Sequence, residues 1–211
     1  TKVILLKGEG RAFCAGADVS EFKDMTGIDA FKYSRTIQDV FKTIEESYKP
    51  VIAVMHGYVL GGGLELALVC DLRIAAKNTL LGQPEINLGI IPGAGATQKL
   101  SRIIGVGKAK EFILLGDMYP ADEAYKFGLI NKVVLDEELE LEARRIGLKI
   151  AEKPPLSIAI AKYVIDYGKD VSESVGKLLE SLGFGLARST KDSEEGIDAF
   201  LSKRKPKFEG K

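Results

Sequence analysis

Residues 50–75 read PVIAVMHGYVLGGGLELALVCDLRIA, and no other stretch restricts the fold as tightly. Residues 51–55 and 72–75 are short unbroken apolar runs, the mark of strands covered on both faces. Between them lie three consecutive glycines (Gly61, Gly62, Gly63) and an apolar segment, residues 64–69, that reads as a buried helix. Strand, glycine turn, helix and strand in such quick succession suit parallel strands joined through helices, which makes an α/β layered domain. Residues 3–6 form a further apolar run of the same kind, so a buried strand is expected there too. Ile37, Val40, Phe41 and Ile44 fall on one helical stripe that Pro50 terminates. Pro84 makes residues 78–89 a strand end and loop.

The pattern changes after Val134, where only helical periodicity remains. Leu139, Ala143, Ile146 and Ile150 make one stripe; Val175, Leu178, Leu179 and Leu182 make another. Asp192 with Glu195 reads as a capping box opening a last helix, before a short basic tail. The expected organisation is an α/β core over residues 1–134 and a helical region over 135–211. That helical region is too thin for a core of its own and must pack on the core or on another subunit. There is no internal sequence repeat. The chain opens TKVILLKGEG without Met and nearly inside a strand, so residues upstream of Thr1 are expected to be missing.

Charge and cysteine usage exclude several functions. Thirty basic residues balance thirty acidic ones, leaving no field to attract nucleic acid. Cys14 and Cys70 stand apart, His56 is the single histidine, and no Cys/His cluster exists for structural zinc or a disulfide framework. A reducing cytoplasm is the expected compartment. No segment nears the ~18 apolar residues of a membrane span.

Three glycine-rich stretches invite a functional reading. Gly8, Gly10 and Gly16 do not fit a dinucleotide fingerprint, and GVGKAK (residues 105–110) lacks the Lys-Ser/Thr of a phosphate loop. The triplet differs, because it joins a buried strand to a buried helix. Glycines there permit either close helix–strand packing or close approach of a ligand to the first, unpartnered helix amides, which could stabilise a developing oxyanion. The residues alone leave both readings open. Glu65, in the first helical turn among Leu64, Leu66, Ala67 and Leu68, favours the second. A buried carboxylate costs free energy without partners, and burial raises its pKa toward the range of general acid–base chemistry. Glu85, in GQPEINLG, is the second candidate. Alone it reads as a solvated loop residue, but the following GIIPGAGATQKL is too apolar for a surface loop. His56 reads as structural. Cys14 has no local base to make it a nucleophile, and no Gly-x-Ser-x-Gly elbow is present.

GRAFCAGADV, PVIAVMHGYVLGGGLELALVCDLRIA, GQPEINLGIIPGAGATQKL and ADEAYKFGLINKVV, in this order, resemble the crotonase (enoyl-CoA hydratase/isomerase) family over nearly the whole chain. The resemblance implies a spiral of β-β-α turns with a helical C-terminal region that makes homotrimers, often paired into hexamers. It implies an acyl-CoA substrate and no cofactor, coenzyme A being part of the substrate. By position, the backbone N–H groups of Ala17 and Gly62 would form the oxyanion hole for the thioester carbonyl. Ala15, Ala17, Asp18 and Val19 would hold the CoA moiety. Glu65 would help activate water, and Glu85 would exchange a proton with C2. Isomerases of the family generally keep only the second glutamate, so both together imply hydration of a trans-2-enoyl-CoA. Ala96 and Lys99 stand where the family often has glycine and arginine, and the family's N-terminal strands and first helix lie outside this chain. Δ3,Δ2-enoyl-CoA isomerisation, a hydratase cut from a fusion with a 3-hydroxyacyl-CoA dehydrogenase, and a silent acyl-CoA-binding protein are the alternatives.

Overall fold

The computed structural model describes residues 1–211. They form two compact units: one of Leu5–Glu45 and Val51–Arg144, the other of Thr1–Ile4, Glu46–Pro50 and Arg145–Lys211. The larger unit holds two small sheets. The strands β1 (Ile4–Lys7), β2 (Val51–Met55), β4 (Leu72–Ala76) and β7 (Lys132–Val134) line up in the order β1-β2-β4-β7. β3 (Tyr58–Leu60), β5 (Leu80–Gly82) and β6 (Met118–Pro120) make the second sheet, in the order β3-β5-β6.

Chain order explains the two sheets. β2 enters the first sheet, β3 the second, and helix α2 (Gly62–Leu68) carries the chain back. β4 then pairs parallel to β2, with Ile52 opposite Leu72, and β5 parallel to β3, with Tyr58 opposite Leu80. A 3-10 turn (Pro84–Leu88) and helix α3 (Ala96–Leu115) complete that second turn. The preceding turn has the same plan: β1, then a single parallel bridge from Cys14 to Val59, then helix α1 (Gly27–Glu45). This is the β-β-α spiral, repeated in space without any repeat in sequence. Each turn reuses the same parallel pairing because a right-handed crossover packs its helix back on the sheet.

Burial follows this layering. All of β2 is buried, as the unbroken apolar run requires. The core continues through Leu64, Ala67 and Leu68 of α2, Leu81, Leu100 and Phe112. The Phe112 ring stacks on Tyr119 with centroids 4.0 Å apart. Arg73 of β4 is buried too, and it donates from Nε to the Leu129 carbonyl (2.8 Å) and from NH1 to that of Cys70 (2.8 Å). A further bond to the Ala67 carbonyl (3.4 Å) supplies a donor to the last turn of α2, where carbonyls lack intrahelical partners.

Three expectations about the larger unit need correction. β1 is half-exposed rather than buried on both faces, because it is an edge strand. Val40 of the α1 stripe faces solvent, while Ile37, Phe41 and Ile44 are partly buried. Ile90 and Ile91 are exposed, so the glycine-rich loop after Glu85 does lie at the surface; only Pro92 and Ala94 of it turn inward. A break at Gly105 (φ 79°, ψ 156°) divides α3 into two helical pieces.

Helices α4 (Ala121–Lys126) and α5 (Leu139–Ala151) follow α3 in the chain; in the smaller unit, α6 (Pro155–Gly168) and α7 (Glu173–Arg188) pack together, with Gly183 of α7 against Ile160 and Val164 of α6. α7 turns Val175, Leu178 and Leu182 outward, and α8 (Lys191–Leu201) likewise exposes Phe200 and Leu201. The capping box on α8 is not formed. Thr190 is the N-cap and accepts from the Ser193 N–H. Asp192 lies inside the helix and binds the tail instead, while Glu195 pairs with Arg204 at 2.6 and 2.7 Å.

Candidate active site

The candidate residues Ala15, Ala17, Asp18, Val19, Gly62, Glu65 and Glu85 all fall within the larger unit. The glycine triplet performs three separate tasks. Gly61 sits at φ 52°, ψ −125°, a conformation closed to residues with a side chain, and a Cβ there would lie 3.2 Å from Glu85 Oε1. Gly63 is packed so closely that a Cβ would lie 2.0 Å from the Cys14 carbonyl oxygen. Gly62, between them, is the first residue of α2; the position of a Cβ on it is 3.8 Å from the Ala17 nitrogen. The close-packing reading of the triplet holds at Gly63, whereas Gly62 is left uncrowded beside the Ala17 backbone. Neither the Ala17 nor the Gly62 amide donates a hydrogen bond within the chain. The Gly62 amide thus stands unpartnered at the positive end of α2, with the Ala17 nitrogen near the same residue.

Glu65 projects from the first turn of α2 and is 4 % exposed. Its Oε1 accepts from the Ala94 N–H at 2.7 Å and the Ala96 N–H at 3.0 Å. Ala96 opens α3, so Glu65 also closes the N-terminus of a second helix. Burial raises the pKa of Glu65, and the amides of Ala96, Ala94 and Gly95 oppose the rise by stabilising the anion.

Glu85 occupies the 3-10 turn that follows β5, with Pro84 at the first position. Its pKa is pushed up to about 7, first by burial and further by the nearby charge of Glu65. Gln83 is fully buried beside it, and in the orientation its neighbours require, its amide nitrogen donates to both Glu85 oxygens at 2.8 and 2.9 Å. Two carboxylates with different partners thus stand near one pair of amides, with the surroundings of Glu65 favouring the charged form more than those of Glu85.

Ala15, Ala17, Asp18 and Val19 lie on an exposed loop. Asp18 caps a 3-10 turn, its Oδ1 accepting from Ser20 N (2.9 Å) and Ser20 Oγ (2.7 Å). The Ser20 contacts also hold its carboxyl below the usual range. Cys14 is tied by its backbone to Tyr58 and Leu60, and His56 Nε2 lies 3.1 Å from the Gly10 carbonyl; both serve the scaffold. No group of three or more His, Cys, Asp or Glu side chains could hold a metal ion. No helix is long and apolar enough to cross a membrane.

Sequence reasoning missed Gln83 and the amides of Ala94 and Ala96. Gln83 carries a legible signal, a polar amide two residues before a candidate carboxylate in an apolar segment. The two alanine amides carry none, because a backbone donor has no residue-specific signature.

The site defines a class, and comparison with known proteins identifies the family. The model of the enoyl-CoA hydratase/isomerase family matches residues 1–211. The chain is 42 % identical to a crotonyl-CoA hydratase of Syntrophomonas wolfei, over 98 % of this chain and 80 % of that protein. It is 43 % identical to a short-chain-enoyl-CoA hydratase of Clostridium acetobutylicum, over 96 % of this chain and 78 % of that one. The crystal structure of an enoyl-CoA hydratase from Bacillus anthracis superposes with a TM-score of 0.95 at 42 % identity, covering all of this chain and 82 % of the other. The chain belongs to the enoyl-CoA hydratase/isomerase family.

Proposed function

We infer that this chain is an enoyl-CoA hydratase, a hydro-lyase that adds water across the C2=C3 bond of a trans-2-enoyl-CoA to give a 3-hydroxyacyl-CoA. The observation that supports the reading is that Glu85 lies against Gly61 and senses the charge of Glu65, next to the Gly62 and Ala17 backbone. In the proposed step the thioester carbonyl accepts from the two amides. Water attacks C3 and gives its proton to the Glu65 carboxylate, while the C2=C3 electrons move toward the thioester to form an enolate. The amides stabilise the charge on the enolate oxygen. Glu85, protonated near neutral pH, then delivers its proton to C2. One water is consumed, and proton exchange with solvent resets the two carboxyl groups.

The reaction so written needs no cofactor. Backbone of Ala15, Ala17, Asp18 and Val19 is assigned to the CoA moiety. The exposed apolar faces of α7 and α8 support assembly through residues 135–211 as a homotrimer or hexamer. Two free cysteines fit a reducing cytoplasm.

Hydration of crotonyl-CoA by Glu65→Gln and Glu85→Gln tests the roles. Each variant is expected to lose about 10²–10⁴-fold in kcat with the fold intact. An assay of a 3-enoyl-CoA against a 2-enoyl-CoA separates hydration from isomerisation. The assignment of the proton donor fails if Glu85→Gln keeps most of the hydratase rate.

A further inference from the structure

We propose that Ser34 and Gln38 on α1 are positioning residues that hold Glu65 in its reactive orientation through one peptide group. The Gly93 carbonyl accepts from Ser34 Oγ at 2.6 Å and from Gln38 Nε2 at 2.8 Å. The N–H of that same peptide, on Ala94, donates to Glu65 Oε1 at 2.7 Å. A peptide is planar, with its N–H opposite its C=O, so fixing the carbonyl aims the N–H. Donors on the carbonyl also polarise the group and strengthen its N–H as a donor.

The surroundings show why the peptide needs this restraint. It is preceded by glycine at residue 93 and followed closely by Gly95 at φ 120°, so the local chain offers little stiffness of its own. Gln38 is itself oriented: Arg35 NH1 donates to its Oε1 at 2.9 Å, and its nitrogen lies 3.2 Å from Ser34 Oγ. A carbonyl receiving two side-chain donors from one helix, on the peptide that binds a buried carboxylate, is more than an attachment of α1 to a loop. The other titratable groups that sense Glu65 are Glu85, from the turn after β5, and Tyr33, from α1. Neither touches the Gly93 carbonyl, so the effect of removing its donors reaches Glu65 by way of the Ala94 amide.

The proposal rests on the reading that Glu65 is the base. The test is crotonyl-CoA hydration by the whole protein carrying Ser34→Ala with Gln38→Leu, beside Glu65→Gln. The double variant is expected to lose about tenfold in kcat at nearly unchanged KM, since a reactive group is displaced without loss of a substrate contact. Its acid limb is expected at higher pH, because a misaligned donor stabilises the Glu65 anion less. Ser34→Thr, which keeps the hydroxyl, restores both. An unmoved acid limb in a folded double variant, whatever its kcat, overturns the proposal while Glu65→Gln remains inactive. A rise in KM that accounts for the whole loss overturns it as well. Retention of activity by Glu65→Gln overturns the underlying reading instead. If the double variant does not fold, Ser34→Ala alone decides: a smaller shift of the limb in the same direction supports the relay, and none overturns it.

Discussion

Glu65 on α2 and Asp192 on α8 are built alike, and their difference separates an anchoring carboxylate from the proposed base. Each lies in the first turn of its helix and is almost fully buried, at 4 % and 2 % exposure. Each accepts two backbone N–H groups from distant chain: Ala94 and Ala96 at 2.7 and 3.0 Å, or Glu209 and Gly210 at 2.7 and 2.8 Å. At Asp192 one donor lands on each oxygen, so the group is consumed in holding the C-terminal tail. At Glu65 the Ala94 and Ala96 donors both land on Oε1, and Oε2 is the oxygen the proposed reaction uses. Glu65 also has a second carboxylate and two unpartnered amides for company. Burial and hydrogen bonds alone make an anchor; the proposed role of Glu65 needs an oxygen to spare beside complementary groups as well.

The amide-swap variants probe this contrast most strongly. Glu65→Gln is expected to lose hydration by about 10²–10⁴-fold, whereas Asp192→Asn leaves the pH limbs of the rate profile in place. A displaced limb in Asp192→Asn would break the comparison. Gly63→Ala comes next. Its Cβ would strike the Cys14 carbonyl, so α2 must shift, at a cost of about 1–3 kcal/mol or more, read as a lower Tm. Asp192→Asn is expected to cost about 1–3 kcal/mol, because two tail amides lose an anionic acceptor; thermal unfolding and proteolysis of the tail measure it.

The pH responses are smaller and sharpen the contrast. Glu85 has a raised pKa in the folded chain, so folding favours its protonated form. Its contribution to stability is present below about 4.5 and lost as the pH rises toward about 7. Glu85→Gln is expected to flatten that part of the stability profile. Gln83→Leu removes a donor to the charged form, so the alkaline limb of hydration, where Glu85 loses its proton, should move to higher pH. A limb that stays or falls would show that the Gln83 amide does not stabilise the Glu85 anion.

The local sequence reveals much of this protein. Apolar runs and glycines locate β2, β4 and α2, because a buried strand or helix must be apolar along its covered face. The triplet and Glu65 single themselves out by being costly where they stand, whereas Glu85, which alone reads as a loop residue, stands out through the family pattern. Edges and ends are less legible: β1 has the composition of a central strand, yet a place at the edge of its sheet exposes it. The Asp192–Glu195 pair fits a capping box by spacing, yet the returning tail engages both side chains.

What only the tertiary structure decided is which groups share a site and what each donor is for. Side-chain chemistry is written in residue types, so Glu65 and Glu85 could be nominated from the chain alone. Their environment is made largely of backbone: the amides of Ala17, Gly62, Ala94 and Ala96, and the carbonyl of Gly93. Every residue has such groups, and only folding distinguishes the few that remain unpartnered, or that point at a buried charge, from the many consumed in helices and sheets.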